Sequence, residues 1–182
     1  MKFLKEKKVV HVKETRRAVV AVFLALSLAG CGYHFKGAGL TAPAGVHTIA
    51  ITVLENQTSE SGIETVFTSD LAYEFTRSKM LRIVGKDMSD AVLSGSIASM
   101  AVDTISHTAT YGSNERRVTI TLDLALRRPS GEVIWSDSAL SGRETFQVSS
   151  DKIETEQNRR AAIEAISKRL AEKVHNRILQ DF

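Results

Sequence analysis

The sequence predicts an α+β fold, a two-layer sandwich of two amphipathic helices on one face of a four- to five-stranded mixed or antiparallel sheet. One observation is the strict alternation of apolar and polar residues over 118–126, which is typical of a strand with one buried and one wet face. The other is a pair of segments, 62–79 and 151–179, whose apolar residues recur every three or four positions. Such spacing places them on one side of a helix.

The remaining elements follow in the order β-α-β-β-β-β-α. We predict the other four strands at 46–54, 80–84, 91–105 and 132–140. Ser61 and Glu64 have the spacing of a helix capping box, and Gly95 indicates a bulge or a close backbone approach inside its strand. Residues 106–115 predict a projecting hairpin loop, 128–131 a tight turn, and 142–150 an irregular segment.

The first 31 residues have the pattern of a bacterial export signal. Seven Lys and Arg residues precede an apolar run at 18–29, too short for a membrane span, which needs roughly 20 residues. The run closes in Leu28-Ala29-Gly30-Cys31, and Cys31 is the single cysteine of the chain. This sequence resembles the lipobox of bacterial lipoproteins, in which the cysteine is lipidated and becomes the mature N-terminus.

We therefore expect three regions: a signal peptide at 1–30 that is removed, a lipidated Cys31 with a short Gly/Ala-rich tether at 31–45, and a single α+β domain at 46–182. Acyl chains such as palmitate on Cys31 would anchor the protein to a membrane without spanning it. Gly32 follows the cysteine where an aspartate would retain a lipoprotein in the inner membrane, which favours the periplasmic side of the outer membrane.

The net charge of +3 belongs to the signal peptide. Residues 1–30 hold seven of the 24 basic and two of the 21 acidic residues, which leaves a slightly acidic mature chain. That balance, with no basic stripe between aromatic residues, argues against nucleic acid as a partner.

No motif for chemistry is visible. The five histidines (His11, His34, His47, His107 and His175) are scattered, and no nucleophile elbow or phosphate loop occurs. The sequence predicts no metal site, no cofactor and no catalytic residue.

Several stretches together resemble the LptE family of lipopolysaccharide-assembly lipoproteins. The resemblance depends on order and spacing over 31–182 and includes the following segments: Cys31-Gly32-Tyr33-His34-Phe35, Ile49–Val53, Asn56-Gln57-Thr58, Asp90–Ile97, Gly131–Trp135 and Leu170-Ala171-Glu172.

This resemblance implies a helix-on-sheet sandwich that partners and plugs an outer-membrane β-barrel translocon of the LptD type. It also implies roles in barrel assembly and in binding lipopolysaccharide, without enzymatic activity. Lipid A phosphates would call for arginine or lysine. The candidates are Arg116 and Arg117 beside the predicted loop and Arg127 and Arg128 at the other end of the strand. Such pairs also occur as solvated strand ends that discourage aggregation.

A rival interpretation remains open. Residues 49–58 are also similar to the opening strand and turn of lipoproteins that activate peptidoglycan synthases or build secretion channels. The Cys-Gly-Tyr-His-Phe opening and the short tether favour lipopolysaccharide assembly, because cell-wall activators generally need a long linker. A periplasmic hydrolase would need a cleft that the sequence does not indicate.

Overall fold

Six strands and two helices form the part of the chain that the computed structural model describes, residues 42–106 and 114–180. The elements are β1 (Thr48–Ile51), β2 (Glu55–Asn56), α1 (Ile63–Ser78), β3 (Arg82–Ile83), β4 (Ala91–Ser106), β5 (Asn114–Arg127), β6 (Val133–Val148) and α2 (Lys152–Gln180), with a 3-10 turn at Lys86–Met88. This arrangement is the predicted α+β fold.

The strands form one mixed sheet with the order β3-β1-β4-β5-β6. The short strands β1 and β2 lie parallel to β4 along the same edge, and β3 is parallel to β1. The long strands β4, β5 and β6 are antiparallel neighbours. The sheet thus combines a broken parallel edge with a long antiparallel meander.

Both helices cover one face of this sheet. Helix α1 buries Ile63, Phe67, Leu71 and Phe75, the four-residue repeat that predicted it. It packs beside β1–β3, whereas α2 packs mainly on β6 and on α1. The strand β5 contributes the centre of the core, with five alternating residues that are at most 3% exposed: Val118, Ile120, Leu122, Leu124 and Leu126.

Gly95 lies where β4 approaches β5 most closely. A β-carbon built on Gly95 would overlap the carbonyl oxygen of Asp123 and lie 2.9 Å from the α-carbon of Leu124. Only glycine fits against a neighbouring backbone at this distance. The predicted close approach inside the strand is confirmed.

The start of α1 differs from the prediction. Gly62, and not Ser61, occupies the N-cap with φ of 88°, and no side chain caps the helix. Half of the expected capping box is present, since the Glu64 carboxylate accepts the Gly62 N–H at 3.1 Å. A left-handed backbone at the cap explains the choice of glycine.

The predicted irregular segment at 142–150 is wrong, because β6 continues to Val148. The register between β5 and β6 shifts between Leu122 and Leu124, and Ala139 has a positive φ of 61°. This bulge moves inward-facing positions from the odd residue Trp135 to the even residues Leu140 and Phe146. The change of parity hid the second half of the strand.

No helix among residues 42–106 and 114–180 is both long and apolar enough to span a membrane.

Candidate functional site

The sheet face opposite the helices is lined mostly by polar side chains. Because the five core residues of β5 point toward the helices, its odd-numbered residues point the other way. Their partners in β4 and β6 share that face. The face comprises Val92, Ser94, Ser96, Ser99, Ala101 and Asp103 on β4; Glu115, Arg117, Thr119, Thr121, Asp123, Ala125 and Arg127 on β5; and Ser136, Ser141, Arg143, Thr145 and Gln147 on β6. We call it the open face.

Two arginines and two threonines form a square at one end of the open face. Arg117 on β5 pairs with Thr145 on β6, and Thr119 pairs with Arg143. The two guanidinium groups therefore start from diagonal positions on neighbouring strands, roughly 7–8 Å apart. We call these four residues the arginine–threonine quartet.

The predicted arginine pairs do not form one site. Arg116 shares the helix-side parity of β5, so it points away from Arg117 although the two are adjacent. Arg127 lies on the open face but ten residues from Arg117, roughly 33 Å along the strand. Of the four candidates, only Arg117 has a second arginine as a cross-strand diagonal neighbour.

Arg128 stabilises a turn. Its backbone N–H donates to the Glu132 carbonyl at 2.8 Å, and its guanidinium pairs with the Glu132 carboxylate at 3.3 Å. The same guanidinium donates to the Ala44 carbonyl at 2.9 Å, which fixes the segment before β1 to the β5–β6 turn. These contacts favour a structural role for Arg128.

The sequence pattern does not reveal the position of Arg143. The residue falls in the segment that we predicted to be irregular, so no face could be assigned to it. The signal that could have found it is the even-numbered spacing of the apolar residues Leu140, Phe146 and Val148. Once β6 is extended through these positions, Arg143 and Thr145 necessarily share the face of Arg117.

The loop between β2 and α1 contains a hydrogen-bond network centred on Asn56. The Asn56 amide donates to the Glu60 carbonyl at 2.7 Å and to the Glu64 carboxylate at 2.8 Å. Its oxygen accepts the Thr58 backbone N–H at 3.0 Å and the Thr58 hydroxyl at 2.8 Å. The Glu64 backbone N–H, and then the Asn56 amide, lower the pKa of Glu64. The Asn-Gln-Thr sequence thus shapes the β2–α1 loop.

Arg159 joins this loop to α2. It makes two hydrogen bonds to the Glu60 carboxylate, at 2.7 and 3.0 Å, and two to Glu156, at 2.9 and 2.8 Å. Donation from Arg159, and then from Arg160, lowers the pKa of Glu156 to about 2. The same carboxylates raise the pKa of Arg159 further above its ordinary range. The cluster is a charged clamp at the base of both helices.

A shallow groove of about 420 Å³ runs between α1 and α2. Its lining carries both signs of charge, from Asp70, Tyr73, Glu74, Arg77, Lys168 and Glu172. Nearby, the buried ring of His175 meets Phe75 edge to face, with centroids 5.1 Å apart. Within the described ranges, no cluster of three or more metal-ligating side chains occurs. The ring contact between Phe75 and His175 joins the two helices.

Two predicted features concern residues that the structure does not describe. Cys31, with the lipobox and the start of the tether, lies outside the described residues, as does 107–113 of the predicted hairpin loop.

The comparison with protein families decides the assignment. A family model described as "LptE: Lipopolysaccharide-assembly" matches residues 46–178, which is the whole sandwich from two residues before β1 to the last turn of α2. The chain belongs to the LptE family. LptE members act in lipopolysaccharide assembly, so this is a protein of the bacterial cell envelope. The resemblance predicted from the sequence is confirmed.

Solved structures share the fold at low identity. A minor lipoprotein from Acinetobacter baumannii superposes with a TM-score of 0.52 at 14% identity, covering 75% of this chain and 93% of that one. An uncharacterized lipoprotein B from Nitrosomonas europaea gives a TM-score of 0.53 at 14% identity, covering 81% and 90%. At this identity the likeness establishes the fold. The curated sequences contain no match to the chain.

Proposed function

We propose that this protein is the lipid-anchored partner of the outer-membrane β-barrel that inserts lipopolysaccharide into the outer leaflet. The observation that carries the proposal is the family match over 46–178. In this role the sandwich occupies the barrel lumen as a plug, helps the barrel assemble and contacts lipopolysaccharide. The function is non-enzymatic binding.

The proposed anchor is Cys31, lipidated after removal of residues 1–30, with 31–45 as the tether to the domain. Two or three acyl chains give stable attachment where one chain is marginal. A tether of this length keeps the sandwich next to the inner leaflet of the outer membrane. This geometry suits a partner that lies within the same membrane.

The open face supports a binding role. Between its charged residues it carries short hydroxyl and methyl side chains over three long strands, where a partner surface can approach the backbone closely. Arg116 and Arg117 stay the candidate contacts to lipid A phosphate, and Arg117 is the one that lies on the open face. Arg127 and Arg128 are the weaker candidates, since Arg128 already bonds to Glu132 and Ala44.

Depletion of the protein in its own bacterium tests the proposal. We expect lipopolysaccharide at the cell surface to fall, measured by surface labelling of intact cells, and to accumulate in the inner membrane. Peptidoglycan cross-linking, measured by muropeptide analysis, should stay unchanged. Normal surface lipopolysaccharide together with altered cross-linking would instead support the rival class of peptidoglycan-synthase activators.

A further inference from the structure

The outer edge of β4 is open over the second half of the strand. The strands β1 and β2 pair with β4 as far as Ile97, and beyond that residue only β5 pairs with it among residues 42–106 and 114–180. The ladder to β5 is regular over Ser99–Thr104, between two register shifts. We propose that the edge Met100–Thr104 pairs in antiparallel register with the same edge of a second copy of this chain.

The direction of the backbone groups on β4 follows from the far side of the sheet. The carbonyls of Arg143 and Gln147 on β6 accept hydrogen bonds from side chains of α2, at 2.8 and 3.1 Å, so they point away from β5. Alternate residues of an antiparallel strand bond the same neighbour, so the parity of β6 fixes that of β5 and then that of β4. The backbone groups that point to the open edge are those of Met100, Val102 and Thr104.

The other free edges of the sheet are short or covered. Strands β2 and β3 have two residues each. The edge of β6 is interrupted by the bulge with Ala139, and its second half is capped by the α2 side chains that bond Arg143 and Gln147. Such devices prevent pairing between molecules. The second half of β4 lacks them, since the strand holds one charged residue, Asp103, and no lysine or proline.

Apolar side chains accompany the open edge. Val102 is 42% exposed although it lies on the helix side of the sheet, paired with the fully buried Val118. Ile105 is 40% exposed. The helices therefore leave this corner of the core uncovered, and an added strand would remove Val102 from water. An open edge with apolar side chains is the feature that strand addition uses.

The sequence of the edge is complementary to itself. An antiparallel pair with its twofold axis at Val102 places the two valines opposite each other, Met100 opposite Thr104, and Ala101 opposite Asp103 of the second copy. The apolar side chains then meet on the helix side. Each Asp103 faces a methyl group instead of a second carboxylate. This self-complementarity favours a second copy as the occupant.

The interface is short, so we expect a weak monomer–dimer equilibrium. Lipid anchoring of both copies in one membrane would raise their effective concentration. The pairing concerns chains that are not bound to a barrel, so the inference does not rest on the proposed function.

The first test is disulfide trapping of the full lipidated chain in its own bacterium, with Val102→Cys as the probe. Opposed residues at the twofold axis lie roughly 4.5–5.5 Å apart at their β-carbons, within reach of a disulfide. We expect linked dimers on a non-reducing gel. Val133→Cys and Ile153→Cys, at residues that are 46% and 69% exposed, are the matched controls and should stay monomeric. The wild type reports any linkage through Cys31.

Two substitutions test the register. In neutral detergent, Ala101→Lys should shift the equilibrium several-fold toward the dimer, because each lysine faces Asp103 of the second copy. Ala101→Glu should shift it several-fold toward the monomer, because carboxylates then face each other. Analytical ultracentrifugation measures both shifts. The unfolding temperature of each variant should match that of the wild type, which separates a change in pairing from a loss of fold.

Three results would overturn the proposal. Equal yields of linked dimer for Val102→Cys and its two controls would indicate random collision. Linkage of Val102→Cys to another protein, with none between copies, would contradict the choice of occupant. Shifts of the same sign for Ala101→Lys and Ala101→Glu would contradict the register. Co-purification of the wild type with a β-barrel reports on the proposed function separately.

Discussion

Glu60 and Arg159 form a bidentate ion pair that joins the β2–α1 loop to helix α2 across 99 positions of sequence. The Arg159 side chain is 21% exposed and that of Glu60 is 28% exposed, so water screens the pair only in part. Because the Glu60 carbonyl accepts the Asn56 amide, the ion pair connects the Asn56 network to helix α2. The charged clamp is thus a contact between segments that are distant in the sequence.

Replacing both partners should reveal their coupling. In a double-mutant cycle of Glu60→Gln and Arg159→Gln, we expect a coupling free energy of about 1–2 kcal/mol, typical of hydrogen bonds between charged groups. Denaturant unfolding of the four proteins measures it. Arg160→Gln is the control, since Arg160 is exposed and should change the free energy of unfolding by less than about 0.5 kcal/mol. A coupling free energy near zero would show that the Glu60–Arg159 ion pair does not stabilise the fold.

The stability contributed by Glu156 should depend on pH. Because its folded-state pKa is lowered from 4.5 to about 2, its contribution is fully present above the unfolded pKa and lost as the pH falls toward about 2. We therefore expect Glu156→Gln to be less stable than the wild type at neutral pH and equally stable near pH 2. Urea unfolding at several pH values measures this difference. A pH-independent difference would contradict the assignment.

Gly95→Ala should destabilise the sheet by about 2–3 kcal/mol, because the added methyl group meets backbone atoms of β5 that cannot rotate away. Gly85→Ala is the matched control, since nothing lies within 4 Å of a β-carbon at that position. Thermal unfolding of the two variants gives the comparison. Equal unfolding temperatures would mean that β4 and β5 can separate locally at no cost.

Cys31→Ala should abolish lipidation. We expect the variant to incorporate no radiolabelled palmitate and to leave the membrane fraction on cell fractionation. Ser27→Ala, which alters the apolar run but keeps the cysteine, should still be labelled. Palmitate on the Cys31→Ala variant would place the anchor elsewhere in the chain.

Much of the fold follows from local pattern. The helices were predictable because Phe67, Leu71 and Phe75 recur at a period that only a helix places on one side. The central strand β5 was predictable because its apolar and polar residues alternate without a break over 118–126. In α1 the helical period, and in β5 the two-residue period, places the buried residues on one side of the element.

The remaining features depend on contacts between distant segments. The parallel placement of β1 beside β4 joins residues about 40 positions apart, and no local signal specifies it. The second half of β6 was hidden by the bulge near Ala139, which changes the parity of the inward residues. The quartet was invisible for the same reason, since the face of Arg143 depends on that bulge. Arg117 alone could be proposed from the sequence.

The proposed partnership with a β-barrel can be tested by detergent extraction of the tagged, lipidated protein from its own outer membrane, followed by affinity capture and mass spectrometry. We expect a large outer-membrane β-barrel in stoichiometric amount that survives washing with salt. Recovery of a peptidoglycan synthase or of a secretion channel in its place would contradict the assembly role.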